Sequence, residues 1–481
     1  MIARPRLERR LDGALGRRLT CVVAGPGFGK TTLLTRWAAG TTAAWHGLGP
    51  GDRTLGGLVR RVADVLRARV PGIPPDLLAA LRSARGPDTG TDEAGRAHAY
   101  AARICEALAT VQRRDLVLVL DDLEAIDGAA DSVAFVAGLC RQAPAMLHVV
   151  LVSRSDPPFP LARLRGQGQV LDLVAADLAF TAAETTEVMC ATVGPYTEVG
   201  DTATDNELAA EVHRVTSGWP AAVRLASEAL AHEAPDGHRA TLEQLRRPGG
   251  TLYAYLADEV LATEPTEVRD LLGRLAALDR FTPDLAAAVG PPGTSAALAG
   301  LVRRGLVVVT PGSGHEWLTL NALIQGVLAD AGTARSRAAD DTRADAARWF
   351  EHHGQGADAL RCALTADRGP AADAGELRRF VARWGPRLLS DGDAELVLAA
   401  VERLGPHDRS GAILRVEGEA PAGGRLGRCA GLLRCSGRFR SAAGRTGVAH
   451  RADPPPSGRP RHRPGGLRPR GALGSPRRAR R

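Results

Sequence analysis

The chain has 481 residues, 44% of them hydrophobic and 24% charged, more than one core usually serves, so several domains are expected. No run of eighteen apolar residues appears and residues 1–10 are charged, so neither a membrane span nor a secretory leader is expected, and a cytoplasmic location without a membrane partner follows. The net charge of +8 conceals two unlike parts: residues 421–481 hold 16 arginines against Asp453 alone, leaving residues 1–420 at −7 with no electrostatic sign of a DNA-binding surface.

Residues 1–10 are expected to lead directly into a first strand at Leu19–Val23. Ala24-Gly25-Pro26-Gly27-Phe28-Gly29-Lys30-Thr31-Thr32 follows, and then a helical run from Leu33 to Ala39. A second strand is predicted over Ala43–Leu48 and a helix over Leu55–Val70. The stretch Val70–Gly95, rich in Pro and Gly, reads as an insertion, and helix signal returns over Arg96–Val111. Leu116–Leu120 is continuously apolar, as a strand buried on both faces of a parallel sheet must be, and it ends in Asp121-Asp122. Leu147–Val152 repeats the pattern and ends in Ser153-Arg154. Strands alternating with helices predict an α/β P-loop NTPase fold, a doubly wound parallel sheet with its ligand at the carboxyl ends of the strands.

Beyond Thr181 the strand signal fades, and helices are predicted at Ala182–Ala191, Asp205–Val215 and Pro220–Ala231, a helical annex to the sheet. Leu252–Ala334 shows three helical stretches, a strand at Leu306–Val309, a turn at Pro311-Gly312-Ser313-Gly314 and a strand at Trp317–Leu320, the pattern of a winged helix. Ala338–Leu404 reads as helix pairs, an α-helical repeat-like region. The last sixty or so residues are Arg, Gly, Pro, Ser and Ala, too poor in apolar side chains to offset chain entropy, and disorder is expected there.

Ala24-x-x-x-x-Gly29-Lys30-Thr31 fits the Walker A pattern with Ala for the first Gly. The chemistry needs small residues so that backbone N–H groups wrap phosphate, a lysine for the β- and γ-oxygens, a hydroxyl for Mg²⁺ and a helix N-terminus aimed at the anion. Gly25, Gly27, Phe28, Gly29, Lys30, Thr31 and Thr32 are therefore the expected ATP/ADP-binding residues. Lys30 is also the single lysine among 61 arginines, at the one place where a compact ammonium is hard to replace by a guanidinium. Two carboxylates closing a neighbouring strand form the Walker B arrangement, which assigns Mg²⁺ to Asp121 with Thr31 and the orientation of the attacking water to Asp122. Arg154 closes the next strand and is expected beside the γ-phosphate. Seven scattered cysteines without a C-x-x-C pair predict reduced thiols, and the histidines show no metal spacing.

Taken in order, Val22–Trp37, Leu116–Asp122, Leu151–Pro158 with Leu161–Arg165, Asp177–Thr181 and Ser217-Gly218-Trp219-Pro220 resemble the large LuxR-type, maltose-activator-like regulators of the STAND class of signal-transduction ATPases. The likeness covers about residues 1–405. It implies domains at 1–180 (P-loop nucleotide binding), 181–248 (helical annex), 249–335 (winged helix) and 336–408 (start of a helical-repeat sensor), before a basic tail at 409–481. It further implies a switch that is closed over ADP at rest and that opens and self-associates with ATP and an inducer of unknown identity, slow hydrolysis resetting it. In that likeness Pro220 touches the nucleotide and Arg154 is the sensor arginine.

Two departures stand out. Where the family has a His-Pro-Leu step, this chain reads Asn321-Ala322-Leu323, which puts a winged-helix grip on ADP phosphate in doubt. Where the rest of the sensor and a DNA-reading helix-turn-helix are expected, it has the basic tail. Off-frame translation of GC-rich DNA from about residue 405–415 would yield that mixture, and a true basic arm would bind nucleic acid without sequence preference. Other readings are a P-loop phosphotransferase acting on a small molecule and a regulator fragment that binds nucleotide but not DNA.

Overall fold

The structure, a computed structural model, describes residues 2–70, 72–73, 93–193, 202–234, 237–245, 250–310, 316–330, 332, 336–366 and 370–404. Most of the expected insertion, the turn at 311–314 and the tail at 409–481 lie outside the described residues.

Five parallel strands, β1 (Leu19–Val23), β2 (Ala43–Gly47), β3 (Leu116–Asp121), β4 (Leu147–Ser153) and β5 (Val170–Val174), form one sheet in the order β2-β3-β4-β1-β5. β1, β3 and β4 are buried along their whole length; β3 is apolar throughout up to Asp121, and the polar Thr20 of β1 and His148 of β4 are buried because they hydrogen-bond each other at 2.9 Å. Alternation along them builds two cores. Val22, Val117, Val119, Val150 and Val152 face one way, against Leu7 and Leu11 of α1 (Pro5–Asp12) and Leu33 and Leu34 of α2 (Lys30–Ala38). Cys21, Leu118, Leu120, Val149 and Leu151 face the other, against α3 (Leu55–Arg69), α4 (Glu93–Val111) and α5 (Ala130–Gln142).

Two elements depart from expectation. Residues 5–12, expected only to lead into the first strand, form a helix whose charges meet partners distant in sequence: Arg4 and Arg6 pair with Glu184 at 3.2 and 3.1 Å, and Arg10 pairs with Asp177. β5, which follows the short α6 (Ala162–Gly166), carries Asp172 in its middle, a residue that breaks an apolar run. Asp172 sits there because Arg165 and Arg303 pair with it at 2.9 and 3.0 Å.

After α7 (Ala175–Leu178) come the annex helices α8 (Ala182–Val193), α9 (Thr202–Thr216), α10 (Pro220–Ala231) and α11 (His238–Leu245). Next is α12 (Thr251–Leu256), which runs on into a π-helical turn at Ala257–Leu261. α13 (Thr266–Leu275), α14 (Pro283–Val289) and α15 (Thr294–Arg304) lead to the antiparallel hairpin β6 (Val307–Thr310) and β7 (Trp317–Leu320) and then α16 (Ala322–Asp330). α17 (Arg337–His352), α18 (Gly356–Thr365), α19 (Pro370–Ser390) and α20 (Ala394–Arg403) pack as successive pairs around Phe350, Ala359, Leu360 and Phe380. The core on the α1–α2 face of the sheet is continuous with that of all these helices, so what happens at the carboxyl ends of the strands is mechanically connected to the rest. Among the described residues no helix is long and apolar enough to cross a membrane.

Candidate functional site

The loop between β1 and α2 lies at the carboxyl edge of the sheet. Gly27 and Gly29 have φ of 75° and 72°, the left-handed region that side chains disfavour. Around Gly29 there is open space, so only its backbone demands glycine, whereas a Cβ at Gly27 would lie 2.6 Å from the Tyr255 hydroxyl and 2.7 Å from Ala221 Cβ. α2 starts at Lys30 with no side-chain cap and no acid in its first turn, so the orphan N–H groups of a helix start face an electropositive cradle.

Lys30 Nζ turns back on its own loop and donates to the carbonyl oxygens of Ala24 and Gly25 at 2.8 and 3.0 Å. Burial pushes this ammonium down to about 8; Glu124 opposes the fall, Arg154 adds to it, and Asp121 and Asp122 oppose it. Thr31 Oγ1 donates to Asp121 Oδ2 at 3.0 Å, and the Asp122 N–H donates to Asp121 Oδ1 at 3.1 Å. Burial raises the Asp121 carboxyl above its usual range, and the Thr31 bond only partly counters that. Asp122 is exposed, with a left-handed φ of 57°, and starts a 3₁₀ turn over Leu123–Ile126.

That turn delivers a residue that sequence reading passed over. Glu124 Oε2 accepts from Ser153 Oγ at 3.0 Å and from the Arg154 N–H at 3.1 Å, while Oε1 pairs with Arg154 Nε at 3.2 Å. The sheet order makes this possible: β3 and β4 are neighbours, so the turn after one meets the end of the other. The only sequence signal was a third carboxylate two residues past Asp122.

The annex grips the loop from one side. Ser217 and Gly218 both adopt positive φ, and a Cβ on Gly218 would lie 2.3 Å from Phe180 O, so this turn is held against the end of the sheet domain. It aims the fully buried Trp219, which stacks on Phe28 with ring centroids 4.8 Å apart and donates its indole N–H to Pro26 O at 3.1 Å. The Ala221 N–H donates to Gly27 O at 3.0 Å. Pro220, the annex residue expected at the nucleotide, is buried between these two and opens α10.

From the other side, the Gly25 N–H donates to Arg304 O at 3.2 Å, and the following Gly305, with φ of 82°, leaves room for Phe28, whose Cζ a Cβ would meet at 2.9 Å. Arg304 is held by Glu264 in a pair at 2.9 Å, and Arg303 by Asp156 and Asp172 at 2.7 and 3.0 Å. Burial raises the Tyr255 phenol, Glu259 adds to the rise and Arg154 opposes it, so this ring lies within the field of the same arginine. Asn321 is buried and caps α16, its Oδ1 accepting from the Leu323 N–H at 3.1 Å. Lys30, Thr31, Asp121, Asp122 and Arg154 are thus brought to one place, where Glu124, Trp219, Tyr255 and Arg304 join them.

The family described as the MalT winged helix domain matches residues 257–340. The HTH-type transcriptional regulator MalT of Cronobacter sakazakii is 29% identical over 340 residues, 68% of this chain and 35% of that protein. MalT of Klebsiella pneumoniae is 28% identical over 342 residues, with the same coverage of 68% and 35%. The chain therefore spans about a third of the length of these curated relatives. Among solved structures, a Walker-type ATPase of Pyrococcus abyssi is similar at 12% identity with a TM-score of 0.42, over 68% of this chain and 96% of that one.

Proposed function

We propose that the chain, which matches the MalT winged helix domain over residues 257–340 and is 29% identical to a MalT regulator over 340 residues, is a STAND-type ATP/ADP-controlled switch of transcription regulation with slow hydrolysis. One observation carries this reading: annex and winged helix both hydrogen-bond the backbone of the P-loop itself, at Pro26, Gly27 and Gly25. Whatever fills that loop is felt by all three parts at once.

The residues fit a nucleotide with magnesium. Two left-handed glycines and an uncapped helix start form a cradle for phosphate, with a half-buried ammonium whose partners are carbonyls of its own loop. Thr31 and Asp121 supply the hard oxygen donors that Mg²⁺ prefers. In this proposal Gly25–Thr32 hold the phosphates, Lys30 neutralises them and Thr31 with Asp121 holds the metal. Asp122 orients water, Arg154 reads the γ-phosphate and Pro220 lines the nucleotide from the annex. Magnesium, when bound, neutralises charge on the phosphate oxygens. An inducer, self-association and DNA binding are proposed for the whole regulator by relation to MalT, and the cytoplasm as its location.

Thermal unfolding of the protein and its Lys30→Ala variant, with and without Mg-ADP or Mg-ATP, tests the reading. Ligand at about a hundred times its dissociation constant should stabilise by roughly 2.7 kcal/mol, a rise of about 2–4 °C, in the parent only. Folded parent protein that shifts with neither nucleotide would refute it.

A further inference from the structure

Lys30 and Arg154 are the two cations proposed to meet phosphate, and one carboxylate acts on both. Glu124 bonds Arg154 directly through Nε, at 3.2 Å, and it is the leading charge that supports the Lys30 ammonium, ahead of Asp121 and Asp122. Its other oxygen is tethered by Ser153 Oγ and the Arg154 N–H, bonds that do not depend on the guanidinium. The carboxylate is therefore held at the end of β4 by bonds that would remain if the Arg154 side chain, 45% exposed, turned away.

We propose that Glu124 is a positioning residue that stands in for an anion, holding Arg154 until a γ-phosphate competes for it, and so sets the preference between ADP and ATP. This rests on the nucleotide-switch reading. Charge balance supplies the argument. A diphosphate needs Lys30 and the loop amides and leaves the Glu124–Arg154 pair in place. A third phosphate recruits Arg154, so ATP alone pays for breaking that pair. Glu124 itself loses little, because Ser153 and the Arg154 backbone still satisfy one of its oxygens.

The test is nucleotide binding rather than turnover: displacement of a fluorescent ADP analogue by Mg-ADP and by a non-hydrolysable Mg-ATP analogue. Glu124→Gln keeps the shape and removes the charge. It should tighten the ATP analogue by up to about fivefold, the size of one part-exposed ion pair after screening, and change ADP by less than about twofold. Ser153→Ala, which frees the tether, should move the ratio the same way by less. In an Arg154→Gln background Glu124→Gln should leave the ratio unchanged, which a merely structural role of Glu124 would not produce.

Equal tightening of both nucleotides, or a ratio that still moves without Arg154, overturns the inference while the switch reading stands. Absence of Lys30-dependent binding in the parent protein overturns both. If Glu124→Gln fails to fold, the Ser153→Ala and Arg154→Gln ratios decide the matter alone.

Discussion

At the scale of single residues, Lys30 has a measurable titration. Burial lowers its folded, unliganded pKa to about 8, with Glu124, Asp121 and Asp122 opposing the fall and Arg154 adding to it. A bound phosphate would restore the proton, so below about 8 binding costs no proton and above it each complex must take one up. Nucleotide affinity is therefore expected to be flat from about pH 6.5 to 7.5 and then to weaken, approaching tenfold per pH unit at the steepest. Calorimetric titration of Mg-ADP across that range checks it, and Lys30→Arg, permanently charged, should abolish the bend whatever its affinity. That Lys30, Thr31 and Asp121 come together was legible because the Walker A spacing and a carboxylate at a strand end are local patterns. Glu124 was not, because its role depends on β3 and β4 lying side by side, and a glutamate in a turn is ordinarily a solvated one.

Among elements, the turn from α9 into α10 shows what a local pattern conveys and omits. Pro220 at a helix start was readable from proline's fixed φ and missing N–H. That the neighbouring indole reaches Pro26 across 193 residues was not, since nothing near Trp219 in sequence marks its partner. β5 and α1 were hidden for a related reason: their charges, Asp172, Arg4 and Arg6, are satisfied by elements far along the chain. Trp219→Ala removes a fully buried indole from Phe28 and should cost about 3–5 kcal/mol, seen as a lower urea midpoint. Trp219→Phe keeps a ring over Phe28 but leaves Pro26 O without its donor, and about 1–3 kcal/mol should go. A Phe variant as unstable as Ala would mean that the hydrogen bond, and not the stacking, carries the junction.

Across the whole molecule the winged helix closes on the P-loop through the end of α15, and Arg303 is the charge that spans the junction. Burial alone would raise the Asp172 carboxyl, yet the bonds from Arg165 and Arg303 outweigh it and hold it below its usual range. One residue along, Arg304 O accepts the Gly25 N–H, so the ion pair and the loop amide lie in series. Arg303→Ala leaves Asp172 its Arg165 partner, which keeps β5 satisfied and confines the damage to the junction. The partners are partly exposed, so after screening the pair is worth about 1 kcal/mol, which makes local opening roughly fivefold more frequent. Hydrogen exchange of the peptide covering residues 24–30 should quicken by about that factor, while residues 116–121, inside the sheet, should not change. Raising salt should quicken the parent toward the variant, since screening removes from one what mutation removed from the other. Exchange in the loop that ignores both Arg303 and salt would mean that apolar contact at Phe28 and Gly305 holds the winged helix shut by itself.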